Sequence, residues 1–263
     1  MGGIISSDTT WTKEDSPYVI IDTVQIPSDV TLTIEPGVTI TMPSEGDMFL
    51  LHGTISAAGT INNKIVFDGG GNSVIITTLG GAGNVDFDYC IIRNGYRVWD
   101  RGGYFNLRHS EIMNFISDWS GYQFLKACIC LESPSSNCNI EYNRFINTGG
   151  FYAYQAAGRI CEIHIQYNLF HEMSSPISNA GGSPGRSEML VKYNSFIDIE
   201  GIVLSLEPDF ESTNMNATEN YWGTLDTDII DQNIYDGNDN IRVKNYIDYL
   251  PILTAPHPDT PLP

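Results

Sequence analysis

Glu162 and His164 stand two apart in "ICEIHIQ". On a strand, alternation puts that carboxylate and that imidazole on one side. Such a pair can move a proton or hold a metal, although a solvated polar sheet face uses the same residues. Basic residues are scarce, with 13 Lys and Arg against 32 Asp and Glu, so those placed in turns draw attention. Arg159 and Arg186 could pair with the carboxylate of an acidic sugar, and Lys126 is a further candidate for catalysis. The commoner outcome is a surface salt bridge with the acidic excess. In "DGNDN", residues 236–240, Asp236 and Asp239 flank a Gly as in loops that offer oxygen ligands to Ca²⁺. Ca²⁺ is the one cofactor this suggests. The twelve-residue spacing and bidentate Glu of an EF-hand are absent, so an ordinary acidic turn competes with it. Trp99, Trp119, Tyr122, Tyr152 and Tyr154 supply flat rings with polar edges. Such rings suit the faces of sugars, and also the covering of a loop.

The elements that must position these groups are written in a repeat. Residues 140–146 read "IEYNRFI", 165–170 "IQYNLF", 191–197 "VKYNSFI" and 217–222 "ATENYW". Asn143, Asn168, Asn194 and Asn220 therefore recur at intervals of 25, 26 and 26 residues. Upstream, "FDYCII" and "LRHSEI" place Cys90 and Ser110 in the same frame. Two positions on comes a large apolar residue each time: Ile92, Ile112, Phe145, Phe170, Phe196 and Trp222. A fixed period of this length marks a solenoid. The units lack a leucine-rich consensus and are rich in β-branched and aromatic residues between turn residues. A coil of about 25 residues fits three short strands and three turns, stacked at ~4.8 Å into parallel sheets. Equivalent residues then lie over one another. The four Asn form an expected ladder, because an amide both donates and accepts and Asn tolerates a left-handed turn. Phe145, Phe170, Phe196 and Trp222 form an expected internal column.

With this ladder, with "VTLTIEPGVTI" (30–40) leading into "HGTISAAGTINNKIVFDG" (52–69), and with "NYWGT" (220–224) before "YLPIL" (249–253), the chain resembles the right-handed parallel β-helix proteins of the pectate-lyase-like superfamily. The resemblance covers nearly the whole chain. It implies an all-β fold: a single-domain, three-sheet right-handed solenoid with capped ends, over residues 1–250. Residues 251–263, with five Pro in 13, read as a tail or linker. The superfamily spans lyases, hydrolases, adhesins and other roles, so the fold names no activity.

The resemblance also implies that the Asn ladder sits at the short turn between second and third strands. Residues 151–155 are then a first strand, 160–167 a second and 169–172 a third. In relatives that act on polysaccharides, substrate lies along the first-strand sheet. The expected outward set there is Cys128, Cys130, Tyr152, Tyr154, Ile177, Asn179, Val203 and Ser205. That set contains no Asp, Glu, His, Lys or Arg. Hydrolases of this type need carboxylates on the face, and lyases need a basic proton acceptor with a Ca²⁺ site.

The expected function is therefore a non-catalytic module that binds a polysaccharide or cell-surface glycan, or builds a surface, outside the cell. The alternative is a lyase or glycoside hydrolase acting on acidic glycans from groups on its turns. A formal net charge of −19 repels nucleic acid at long range. No run of 18 apolar residues exists, so no membrane insertion is expected. The expected location is secreted or cell-surface, with any leader outside this chain and a larger surface protein as its setting. The five Cys (90, 128, 130, 138 and 161) make no CxxC, and buried apolar thiols are expected.

Overall fold

The computed structural model describes residues 1–42, 46–71, 73–78, 83–115, 127–134, 137–155, 160–181, 186–208 and 214–263. They form three parallel sheets wound as a right-handed β-solenoid. The first and second sheets have ten strands each and the third has eight. One coil shows the pattern. Phe151–Gln155 lies in the first sheet, Ile160–Gln166 in the second and Leu169–Ser174 in the third. The next coil repeats it with Ile177–Gly181, Arg186–Lys192 and Ser195–Glu200. Every pairing between strands of successive coils is parallel, and it sets equivalent residues side by side: Phe145 against Phe170, and Phe170 against Phe196.

Alternation decides what fills the interior. In the third sheet Phe145, Phe170 and Phe196 are buried and stacked, with centroids 4.9 and 5.2 Å apart, and Trp222 follows at 5.2 Å. Such stacks contribute beyond the area they bury. In the first sheet the inward row runs Leu51, Thr78, Asp100, Leu131, Ala153, Asn179 and Leu206. Asp100 is fully buried within it. The Thr78 hydroxyl donates to its Oδ1 at 2.8 Å. Burial pushes the Asp100 carboxyl up to about 6.

The recurring Asn side chains are fully buried and hydrogen-bonded in series. Asn168 Oδ1 accepts from the Asn143 backbone N–H at 2.9 Å and from Asn143 Nδ2 at 3.0 Å. Asn194 and Asn220 repeat the arrangement one and two coils on. Each Nδ2 also reaches a backbone carbonyl of the coil before, as Asn168 does to Ile140 O at 2.8 Å. Upstream, Ser110 N donates to Asn143 Oδ1, and the Ser110 hydroxyl accepts from Cys90 N. The left-handed turn residue is not the Asn but its predecessor. Tyr89, His109, Tyr142, Tyr167 and Tyr193 all have φ between 46° and 59°. The Asn is thus required for its amide, and the turn strain is carried by the residue before it, an aromatic in these five coils and Glu219, with φ 61°, before Asn220.

Aromatic rings close the core at one end, and a short helix lies at the other. At one, Trp11 and Tyr18 stack at 4.5 Å, and Trp11 lies 5.8 Å from Phe49. At the other is the helix Thr227–Gln232, whose first turn is capped by the Asp226 carboxylate. Residues 251–263 do not trail away as an extended linker would. Leu253 N donates to Asn220 O, and the Thr260 hydroxyl donates to Tyr193 O at 2.7 Å. The His257 ring lies 5.0 Å from Tyr167 and 5.1 Å from Tyr193. All five cysteines are buried and none is in a disulfide.

Candidate functional site

The outer face of the first sheet is built by register. One outward row runs Trp99, Cys130, Tyr152, Ser178, Ser205 and Tyr235. A second runs Glu132, Tyr154 and Ala180. Cys130, Tyr152 and Ala180 cluster with Ala127 outside the main core, and Trp99 and Tyr154 pack against them half-buried. Four residues expected on this face lie elsewhere. Cys128, Ile177 and Val203 belong to the interior core, and Asn179 is fully buried in its inward row. At Ile177–Gly181 the parity slips by one residue, which turns Ile177 and Asn179 inward. Cys128 and Val203 instead stand just before the strands Ile129–Glu132 and Leu204–Leu206, outside the alternation that keeps Cys130 and Ser205 outward. Ser178 takes the outward place.

The face is also not free of charge, contrary to the sequence expectation. Glu132 stands beside Tyr154, and its Oε2 accepts from Trp99 Nε1 and from Arg101 Nε, each at 3.1 Å. The Arg101 guanidinium lies over the Trp99 ring at 4.7 Å. Arg97 lies 5.4 Å from the centre of the Tyr96 ring and 5.7 Å from that of Trp99. Further along, Ser205 Oγ donates to Ser178 Oγ at 2.9 Å, and Ser178 Oγ to Glu207 Oε1 at 3.1 Å. Burial raises the Glu207 carboxyl above the usual range, partly offset by the Ser178 hydroxyl. Burial pushes the Tyr152 phenol far up, so it stays protonated at neutral pH. Tyr152 is only 7% exposed, which leaves its ring faces to the protein.

The other named residues fall away from this face or outside the description. Trp119, Tyr122, Lys126 and Arg159 lie outside the described residues, and of Arg186 only the backbone, opening Arg186–Lys192, is described. Glu162 and His164 share the outer face of the second sheet, 3.4 Å apart, with Glu188 in register beside Glu162. Asp236 is buried, and its two oxygens accept backbone amides of Asn238 and Ile247 at 2.7 and 2.8 Å. Asp239 accepts the Asp236 amide. Both carboxyls thus hold a turn together. Among the described residues no group of three or more acidic, His or Cys side chains is placed to hold a metal ion.

One feature escaped the sequence reading. The rings of Tyr89, His109, Tyr142, Tyr167 and Tyr193 stack along the outside of the turn between second and third sheets, at 4.7, 5.1, 4.9 and 5.0 Å. The signal was present, since an aromatic precedes the ladder position in "DYC", "RHS", "EYN", "QYN" and "KYN".

No family model matches the chain, and no solved structure matches it. Among curated proteins it is similar to Protein bark beetle of Drosophila melanogaster, 37% identical over 73 residues. That stretch is 27% of this chain and 2% of the fly protein, so the likeness spans a small part of that relative.

Proposed function

We propose that this protein is a non-catalytic module that acts outside the cell or on its surface and binds a polysaccharide along the outer face of its first sheet. The observation that carries the reading is the pair of half-exposed rings, Trp99 and Tyr154, with Glu132 and Arg101 fixed between them. Two strand steps separate the rings, roughly 10 Å along the solenoid axis at about 4.8 Å per step. A linear sugar chain lying along that axis would meet a ring, an ion pair and a second ring in turn. The rigid parallel scaffold holds these groups before any ligand arrives, which lowers the ordering cost of binding.

A second reading rests on Glu207. A carboxyl whose pKa burial raises, just past the strand Leu204–Leu206, is shifted in the direction a general acid needs. In that reading the protein is a lyase or hydrolase of acidic glycans working from its turns. Screening on glycan arrays, with pectate and alginate turnover measured in parallel, separates the two. The binding reading expects Trp99→Ala and Tyr154→Ala each to weaken glycan affinity by about tenfold at fixed thermal stability, with no turnover. Turnover abolished by Glu207→Gln would establish the enzyme instead. Affinity unchanged in both ring variants would remove the binding site from this face.

A further inference from the structure

The third sheet stops short of the other two, with eight strands against ten. Its last strand, Ser195–Glu200, pairs along its length with Leu169–Ser174 on one side. On the other side, among the described residues, it meets a single bridge from Ser195 to Tyr221, with Phe196 N donating to Tyr221 O at 2.8 Å. The chain then turns away at Gly223, where φ is +73°, and enters the helix Thr227–Gln232. No described strand follows Ile197–Glu200 in this sheet. A sheet edge of this kind is a template for another strand.

The space left by the turn is a cavity of about 270 Å³ bordered by Ile197, Ile199, Val203, Trp222 and Ile229. One bordering residue keeps a buried polar atom unsatisfied. Trp222 is 7% exposed, and its Nε1 finds no acceptor among the described residues. A buried donor without a partner is costly, and a carbonyl brought in by a ligand would relieve it. Beside this cavity lies a hollow of about 470 Å³ that shares Asp198 and is also bordered by Glu172 and Glu200. Among the described residues no Lys or Arg borders either space. His171, with Nε2 at 3.3 Å from Asp198, is the neighbouring group that can become cationic.

We propose that this edge is a docking site for an extended peptide of a partner protein, added to the third sheet parallel to Ser195–Glu200. Its backbone would pair with the part of the strand that Tyr221 leaves open, from Ile197 onward. An apolar side chain would enter the cavity beside Val203 and Ile229. Basic side chains would face Glu172, Asp198 and Glu200. Main-chain pairing would supply affinity and the alternate side chains specificity. The charge of the hollow selects the occupant. A second copy of this chain carries a net charge of −19 and is a poor match, whereas a strand alternating basic and β-branched residues complements both spaces.

The test is calorimetric titration of the protein with an end-blocked alternating Lys–Val hexapeptide. Binding is expected, and raised salt should weaken it at least about fivefold. The double variant Asp198→Asn with Glu200→Gln should weaken it by a similar factor; both sites are exposed, and Asn tolerates the left-handed φ of 53° at position 198. Ile229→Ser, on the exposed face of the helix, should weaken it independently of salt. A hexapeptide N-methylated at alternate amides should not bind, because strand pairing is blocked. The proposal is overturned if the Lys–Val peptide does not bind, if an alternating Glu–Val peptide binds as well, or if the double variant binds unchanged. It also fails if sedimentation shows that the double variant alters self-association rather than peptide binding, since the edge would then pair with another copy.

Discussion

Replacing Asn168 by Ala removes one buried amide from the middle of the series. Its consequences can be counted. The Asn143 backbone N–H loses the acceptor 2.9 Å away, and the Ile140 carbonyl loses the Nδ2 donor at 2.8 Å. Asn143 Nδ2 keeps Leu107 O, and Asn194 Oδ1 keeps the residue 168 amide, so those groups remain partly satisfied. A stranded buried donor costs ~1–3 kcal/mol, and the lost carbonyl contact adds about 1, so the substitution should cost roughly 2–4 kcal/mol. Ser110→Ala is the internal standard. It strands the Cys90 amide and removes one donation to Arg108 O, without an amide relay on both sides. On the same accounting it should cost a similar amount, roughly 2–4 kcal/mol, with the loss placed at a different turn. Long repeat arrays need not unfold in one step, so the assay is native-state hydrogen exchange rather than a single denaturation midpoint. The Asn143 amide should lose protection in Asn168→Ala, while amides near Cys90 stay protected. Unchanged exchange at Asn143, or a cost below about 1 kcal/mol, would refute the claim that these amides close the turns.

Asp100→Asn should stabilise the protein at pH 7 and above, with the gain shrinking to nothing near pH 4. The Asp100 carboxyl titrates near 6 when folded, above its ordinary 3.8, so the native state holds the proton longer. Stability is therefore lost as pH rises between those values, by at most roughly 3 kcal/mol for a shift of about two pKa units. Chemical denaturation across pH 4–8 checks this, and a pH-independent difference would contradict it. The thiols should resist maleimide in the native state, because burial pushes Cys128, Cys130 and Cys161 up to about 12 and Cys90 and Cys138 higher still. All five should label after denaturation, and mass analysis showing a disulfide would overturn the assignment. Tyr152→Ala should destabilise the fold, since the ring is packed with Cys130 and Ala180; an unchanged melting temperature would mean that the ring is not part of that cluster.

Much of the architecture follows from residue order alone. A polar amide every 25 or 26 residues, with an apolar residue two positions on, can satisfy both demands only if each coil lies over the last. Strand frames such as 151–155 and 160–167 then follow from local alternation and from the turn that the Asn marks. What the order of residues did not determine was parity across turns of unequal length. A single residue of slip exchanged Asn179 and Ile177 for Ser178 on the outer face, and such slips are invisible until strands are paired. Glu132 keeps the alternation of Cys130, yet its role appears only when Trp99 and Arg101 arrive from the coil before. The open edge of the third sheet is likewise a property of packing. "NYWGT" reads as one more repeat until Gly223 turns the chain away and leaves the strand Ser195–Glu200 unpaired on that side beyond Phe196. Local pattern determines which residues can stack, because the period is written in the chain. Which side chains meet, and which backbone groups stay unpaired, depends on contacts between coils, and those exist only once the solenoid has closed.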